Sequence, residues 1–141
     1  MTQSRNWCFT LNNYTNDDIT KLTNITDDLI NGNQWCNYII FQQEISESQT
    51  KHLQGYIELT RSRRMTMIKR RLGMDRIHLE KRMGTQAQAI AYCKKDESRD
   101  PDGMIYEKGT PKRSRGRYAT NGLDAVIEMI NDGNTIKQIS T

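Results

Sequence analysis

The stretch from Gln34 to Leu59 leaves the chain little freedom. "QWCNYIIFQQEI" (34–45) is the strongest strand signal in the sequence, and "KHLQGYIEL" (51–59) alternates behind it. Only "SESQT" separates the two, so the simplest pairing is an antiparallel hairpin. Successive side chains on a strand point to opposite faces. His52 and Gln54 therefore converge above one face, while Leu53 and Gly55 turn to the other. Hairpin pairing also brings Glu44, near the end of the first strand, within reach of the same point.

The remaining segments fit around this hairpin. "RNWCFTL" (5–11) reads as a strand ended by turn chemistry at Asn12–Asn13. Trp7 and Phe9 share one of its faces, which suits core packing. Thr15 or Asn16 can cap a helix over about 17–30, striped by Ile19, Leu22, Leu29 and Ile30 and stopped by "NGN". "RRMTMIKRRLG" (63–73) is helical, with Met65, Ile68 and Leu72 at spacings of three and four. "RIHLEK" (76–81) is a short strand. "GTQAQAIAYCKKD" (84–96) is an Ala-rich helix capped by Thr85, and "DGMIYEKG" (102–109) is a last strand. The order βαββαβαβ predicts an α+β domain over 1–110, ferredoxin-like, with a mostly antiparallel five-stranded sheet and helices packed on it. From Thr110 the composition changes to a Pro-, Gly- and Arg-containing linker over about 111–120. Leu123, Val126, Ile127 and Ile130 then mark a small amphipathic helix.

A hydrophobic fraction of 35% predicts a thin core. Residues 1–50 carry two basic and six acidic side chains, against nineteen and eleven in 51–141, so the surplus behind the net charge of +4 is in the second part. That suits a polyanionic partner, although a solvated charged face has the same composition. Arg61, Arg63, Arg64, Lys69, Arg70 and Arg71 crowd eleven residues, and phosphate neutralisation is their natural use. Cys8, Cys36 and Cys93 are odd in number and widely spaced, which argues against a disulfide framework or structural zinc site and for an intracellular protein. No apolar run approaches the ~20 residues of a membrane span, and no secretory signal is evident, so a soluble protein without membrane partners is expected.

Two polar residues at i and i+2 are ordinary on an exposed sheet face. An imidazole, an amide oxygen and a carboxylate aimed at one point would, however, bind a hard divalent cation, Mg²⁺ or Mn²⁺ rather than structural zinc. On the Ala-rich helix, Tyr92, Lys95 and Asp96 fall at i, i+3 and i+4 and so share a face. A tyrosine there is commonly a half-buried packing residue. Beside a metal it is also a chemical kit, because a cation that polarises a phosphate oxygen and a nearby ammonium together lower the barrier to attack by a phenol.

Taken together, "FTLNN" (9–13), "HLQG" (52–55), "IHLEKRMGT" (77–85) and "YCKKD" (92–96) resemble, in order, the motifs of the HUH endonuclease domain of viral replication-initiator proteins. The similarity is to those of small circular single-stranded DNA viruses of the circovirus, cyclovirus and nanovirus kind, and covers about residues 5–109. Gln54 stands where many relatives keep a second histidine, which implies looser metal binding. The resemblance implies that Tyr92 cuts a single-stranded DNA phosphodiester, becoming joined to the 5′ phosphate and freeing a 3′ hydroxyl. It implies Glu44, His52 and Gln54 as metal ligands, with Asp96 as a further one. It implies Lys95 as the group that stabilises the charged transition state or orders a metal-bound water. Asn12, His78, Glu80 and Lys81 fall in matching segments and are candidates for base or sugar contacts, with Arg61, Arg63, Arg64, Lys69 and Arg70 for phosphates. The implied substrate is an origin stem-loop, nicked in the host nucleus to begin rolling-circle replication. "KRSRGR" (112–117) suits a nuclear-entry signal, a DNA clamp or a plain basic linker equally.

Relatives of this kind continue into an ATP-driven helicase, but no G-x-x-x-x-G-K-[ST] phosphate loop occurs here. The chain is therefore expected to be the N-terminal part of a longer, homo-oligomeric protein, with 121–141 beginning its oligomerisation region. The competing reading is an RNA-recognition module without catalysis, whose sheet would be similar and whose RNP1 pattern "GYIEL" echoes. Its base-stacking positions hold Gln54 and Leu59 instead of aromatics.

Overall fold

The computed structural model describes residues 3–112. The linker from Arg113 onward and the helix expected within 121–141 lie outside the described residues. The elements are β1 (Gln3–Asn12), α1 (Asn16–Asn24), β2 (Leu29–Ile30), β3 (Asn33–Gln34), β4 (Cys36–Ile45), β5 (Lys51–Arg64), α2 (Met65–Leu72), β6 (His78–Lys81), α3 (Gln86–Tyr92) and β7 (Ile105–Gly109). Five of the strands form one antiparallel sheet in the order β6-β1-β5-β4-β7. This is the expected α+β architecture, with the long 34–59 hairpin contributing β4 and β5 near its centre.

The strands' alternation sorts the sheet into two apolar faces. Trp7, Phe9 and Leu11 of β1, Ile39 and Phe41 of β4, and Leu53 and Ile57 of β5 are buried together with Leu22 of α1 and Ile68 and Leu72 of α2. On the other face a smaller cluster, Tyr38, Ile40, Tyr56, Ala89 and Cys93, packs beneath α3. Two helices thus close the larger core, and one short helix partly covers the opposite face, leaving its ends polar. Burial pushes the Cys36 and Cys93 thiols up to about 12, and all three cysteines are free. Among the described residues no helix is long and apolar enough to cross a membrane.

Local chemistry explains where the helices begin. The Thr15 hydroxyl accepts a hydrogen bond from the Asp18 amide while the Asp18 carboxylate accepts one from the Thr15 amide, and Thr85 makes the same reciprocal box with Gln88. The helix expected over 17–30 stops early, at Asn24. A 3₁₀ turn follows, and Leu29–Ile30 pairs with Asn33–Gln34 around Asn31–Gly32, both at positive φ. "NGN" is therefore a tight hairpin turn and not a helix stop, because Asn–Gly is the dipeptide best suited to a two-residue turn of this hand. The basic run departs from expectation too. Arg61, Arg63 and Arg64 extend β5, which pairs as far as Gln3↔Arg64, and α2 begins only at Met65.

Candidate active site

Register decides which side chains meet on the α3 face. Glu44 pairs directly across from His52, and Gln42 from Gln54; on the other side of β5, Thr10 faces Gln54 and Asn12 faces His52. Directly opposed residues in an antiparallel pair project to the same face. The His52 Nε2 to Glu44 Oε1 distance is 3.0 Å. The Gln54 amide donates to the Phe9 carbonyl at 3.3 Å, and its oxygen accepts from the Thr10 hydroxyl at 3.2 Å. The amide oxygen of Gln54 is thereby oriented by β1 yet keeps a second lone pair.

Glu44 is 2% exposed, an unusual place for a carboxylate. Its Oε2 accepts from Gln42 Nε2 at 2.7 Å and from Lys95 Nζ at 2.7 Å. Burial raises its pKa, but the hydrogen bonds from Gln42 and Lys95, with the charge of Lys95, outweigh that effect and hold it below the ordinary carboxyl range. Folding therefore favours the ionised form. The resulting stability is complete above about pH 4.3, the unfolded glutamate value, and is lost as pH falls through the lower folded value. On acidification from about pH 5 to about pH 3, the thermal midpoint should fall more steeply for the native chain than for Glu44→Gln. Equal slopes in the two melting series would remove Glu44 from the acid response.

The nucleophile candidate comes from above the sheet. Tyr92 is the last residue of α3 and is 54% exposed. It lines a cleft of about 330 Å³ together with Cys8, Thr10, Gln54, His78, Glu80 and Lys81. Met83, at 86% exposure, stands on the rim of the same cleft. Lys95 lies beyond the helix, yet its Nζ is 4.2 Å from the centre of the Tyr92 ring while it holds Glu44. One ammonium thus spans the phenol and the carboxylate–imidazole pair.

Not every expected residue joins this cluster. α3 ends at Tyr92, so the shared helical face expected for Tyr92, Lys95 and Asp96 is not continuous. Asp96 is turned outward: its side chain is 92% exposed and pairs with Arg99 at 2.9 Å, away from Glu44. His78 and Glu80 are exposed partners of one another at 3.0 Å on the cleft wall formed by β6. Asn12 is exposed, and its carbonyl accepts from Arg76. Lys69 and Arg70 ride on α2, which packs on the opposite sheet face from the cleft. Arg64 borders a second hollow, with Trp7, Met65 and Leu79, that shares Glu80 and Lys81 with the first. Arg61 and Arg63 lie on the same extension of β5.

Among the described residues, no group of three or more His, Cys, Asp and Glu is placed to hold a metal ion. The donors at hand are Glu44, His52 and the amide oxygen of Gln54, a carboxylate, an imidazole and a carboxamide. That set fits a hard divalent cation such as Mg²⁺ or Mn²⁺, with Gln54 completing what the other two begin.

The family model described as "Putative viral replication protein" matches residues 4–96, which include the whole of this constellation. The chain belongs to that family. Among curated members of this viral replication protein family, the chain is 34% identical over 131 residues to the "Replication-associated protein" of Human associated cyclovirus 1, covering 92% of this chain and 41% of that protein. It is 29% identical over 136 residues to the "Replication-associated protein" of Beak and feather disease virus, covering 96% and 41%. It is 33% identical over 93 residues to the "Master replication protein" of Subterranean clover stunt virus, covering 66% and 28%. The chain thus spans about two fifths or less of the length of these relatives.

Two polar groups at this site carry little signal in the sequence. Gln42, fully buried, was signalled only by its position two residues before Glu44 on the same strand. Arg99 carried no signal, because it reaches Gln42 from a loop that follows α3.

Proposed function

We propose that this chain is the nicking and joining part of a viral replication initiator, cutting single-stranded DNA at an origin by tyrosine transesterification. The observation that carries this reading is the position of Lys95, 4.2 Å from the Tyr92 ring centre and 2.7 Å from Glu44. The printed names of the relatives, replication-associated and master replication protein, support the biological setting.

In this mechanism the Tyr92 oxygen attacks the phosphorus of a DNA phosphodiester lying in the cleft. The bond from phosphorus to the departing 3′ oxygen breaks. The phenol proton passes to solvent, and the departing oxygen takes one up to become a 3′ hydroxyl. The 5′ phosphate stays esterified to Tyr92, and attack by another 3′ hydroxyl reverses the step and joins strands. Glu44, His52 and Gln54 would hold the divalent cation, which when bound supplies Lewis acidity toward a phosphate oxygen. Lys95 stabilises negative charge developing on the phenol oxygen. His78, Glu80 and Lys81 line the cleft where a base or sugar would pass, Asn12 stands across from His52 on β1, and Arg61, Arg63 and Arg64 would supply sequence-independent phosphate attraction. Lys69 and Arg70, on the other sheet face, would not reach a strand in the cleft. Action in the host nucleus and assembly of the longer protein through residues after 120 belong to the same reading.

An RNA-recognition module would keep its sheet face open for stacking bases. Here α3 covers the part of that face that carries Tyr38 and Tyr56, which are wholly buried beneath it, so neither ring is available.

The direct test mixes the 141-residue chain with an oligonucleotide carrying a stem-loop nick site and Mn²⁺. A shifted band that survives SDS is expected, and its disappearance with EDTA. His52→Ala and Gln54→Ala should each raise the Mn²⁺ needed for half-maximal product by about tenfold, since each removes a donor. Superimposable metal titrations would dissociate these residues from the cation.

A further inference from the structure

Gln42 is a fully buried amide in β4 with three of its four hydrogen-bonding valences engaged, each by a different part of the site. Its Nε2 donates to Glu44 Oε2 at 2.7 Å and to the Lys95 carbonyl at 2.9 Å. Its Oε1 accepts from Arg99 Nε at 3.0 Å. Arg99 in turn donates through Nη2 to the Lys94 carbonyl at 2.8 Å and to Asp96 at 2.9 Å.

These contacts permit only one orientation of the amide. Turned over, it would set its oxygen against the Glu44 carboxylate and its NH₂ against a guanidinium, two repulsions in a water-poor interior. Held as it is, it occupies Glu44 Oε2 together with Lys95 and leaves Oε1 to His52. The same NH₂ fastens the backbone just after α3, where the helical hydrogen bonds have already tightened to Cys93→Ile90 and Lys94→Ala91 and further carbonyls need partners. The carboxylate and the segment bearing Tyr92 and Lys95 therefore have a common anchor.

We infer that Gln42, braced by Arg99, is a positioning residue that sets the Glu44 carboxylate toward the cation site and fixes the Tyr92–Lys95 segment above it. This rests on the proposed cleavage for its catalytic consequence, but its structural content stands on Glu44 alone. Gln42 itself touches neither DNA nor cation. Its loss should loosen Glu44 and misplace the phenol while leaving the cleft wall that meets DNA in place.

The test uses two variants of the 141-residue chain. Gln42→Met keeps an unbranched side chain of similar size without the amide. Arg99→Met removes the brace from a partly exposed position and spares the fold if Gln42→Met does not tolerate its burial. Calorimetric Mn²⁺ titration without DNA should show affinity weakened about tenfold in Gln42→Met and about threefold in Arg99→Met. With oligonucleotide at saturating Mn²⁺, kcat for adduct formation should fall by an order of magnitude or more while KM stays within twofold. A purely packing role would lower the thermal midpoint without weakening Mn²⁺ binding, and unchanged Mn²⁺ affinity in the folded variants overturns the inference. Weakened affinity in the variants, beside a wild-type chain that forms no SDS-stable adduct, would leave the positioning role standing and remove the cleavage reading. An adduct from the wild type with no change in the variants' Mn²⁺ affinity would do the reverse.

Discussion

Tyr92→Phe should abolish the SDS-stable DNA adduct expected of the proposed cleavage and leave oligonucleotide affinity within about twofold. The substitution removes one oxygen from a side chain that is 54% exposed and ends its helix, so little packing is lost. The ring, and with it the contact to Lys95, is retained. In the mechanism proposed here the removed atom is the one that bonds to phosphorus, and no neighbouring side chain can replace it: the Cys8 thiol on the cleft wall has its pKa raised by burial, which disfavours the reactive thiolate. A loss of at least about a thousandfold is expected, or roughly 4 kcal/mol of barrier at about 1.4 kcal/mol per tenfold. The measurement is a denaturing gel with labelled oligonucleotide, beside a fluorescence-anisotropy titration. A persisting adduct would move the nucleophile elsewhere.

Gly55→Ala should destabilise the fold by about 2–3 kcal/mol, near the upper end of what overpacking a core costs. Gly55 follows Gln54 and faces the larger core, opposite Phe9 of β1 and Phe41 of β4. A Cβ built there would meet the Phe9 ring at 2.1 Å, with two more ring carbons at 2.5 and 2.6 Å. Phe9 is 2% exposed and packs against Phe41 at 6.2 Å between ring centres, so the ring has nowhere to retreat. The glycine of "HLQG" is thus explained by packing behind the site. Urea denaturation measures the loss, and Phe9→Leu in the Gly55→Ala background should recover part of it, because the clash belongs to that ring. A midpoint unmoved by Gly55→Ala would show that the core yields more easily than its packing implies.

These two positions show how unevenly the molecule is legible in its sequence. The convergence of His52 and Gln54 followed from a period of two, which needs no tertiary information. The caps at Thr15 and Thr85 were equally local. Glu44 was reachable because a five-residue loop constrains the register of a hairpin. Asp96 shows where local reasoning fails: helical spacing was extended past Tyr92, but the backbone there answers to Gln42 and Arg99, and Arg99 draws the Asp96 carboxylate outward. The basic run failed differently. Arg61, Arg63 and Arg64 carry no apolar period, and the pairing of Arg63 with Ser4 and Arg64 with Gln3 carries β5 through them as strand.

What the chain's own order of residues determined was the kind of parts: a central hairpin, capped helices, a two-faced ribbon bearing an imidazole and an amide, and a tyrosine with basic neighbours. Those features depend on interactions across a few residues, and the sequence expresses them directly. Only the tertiary structure decided that the phenol, the Lys95 ammonium and the buried Glu44 carboxylate meet, and that α2 with Lys69 and Arg70 lies on the other side of the sheet. Such meetings are set by which sheet face each helix covers and by hydrogen bonds between residues some fifty positions apart, as from Lys95 to Glu44 and from Arg99 to Gln42. No local period encodes them.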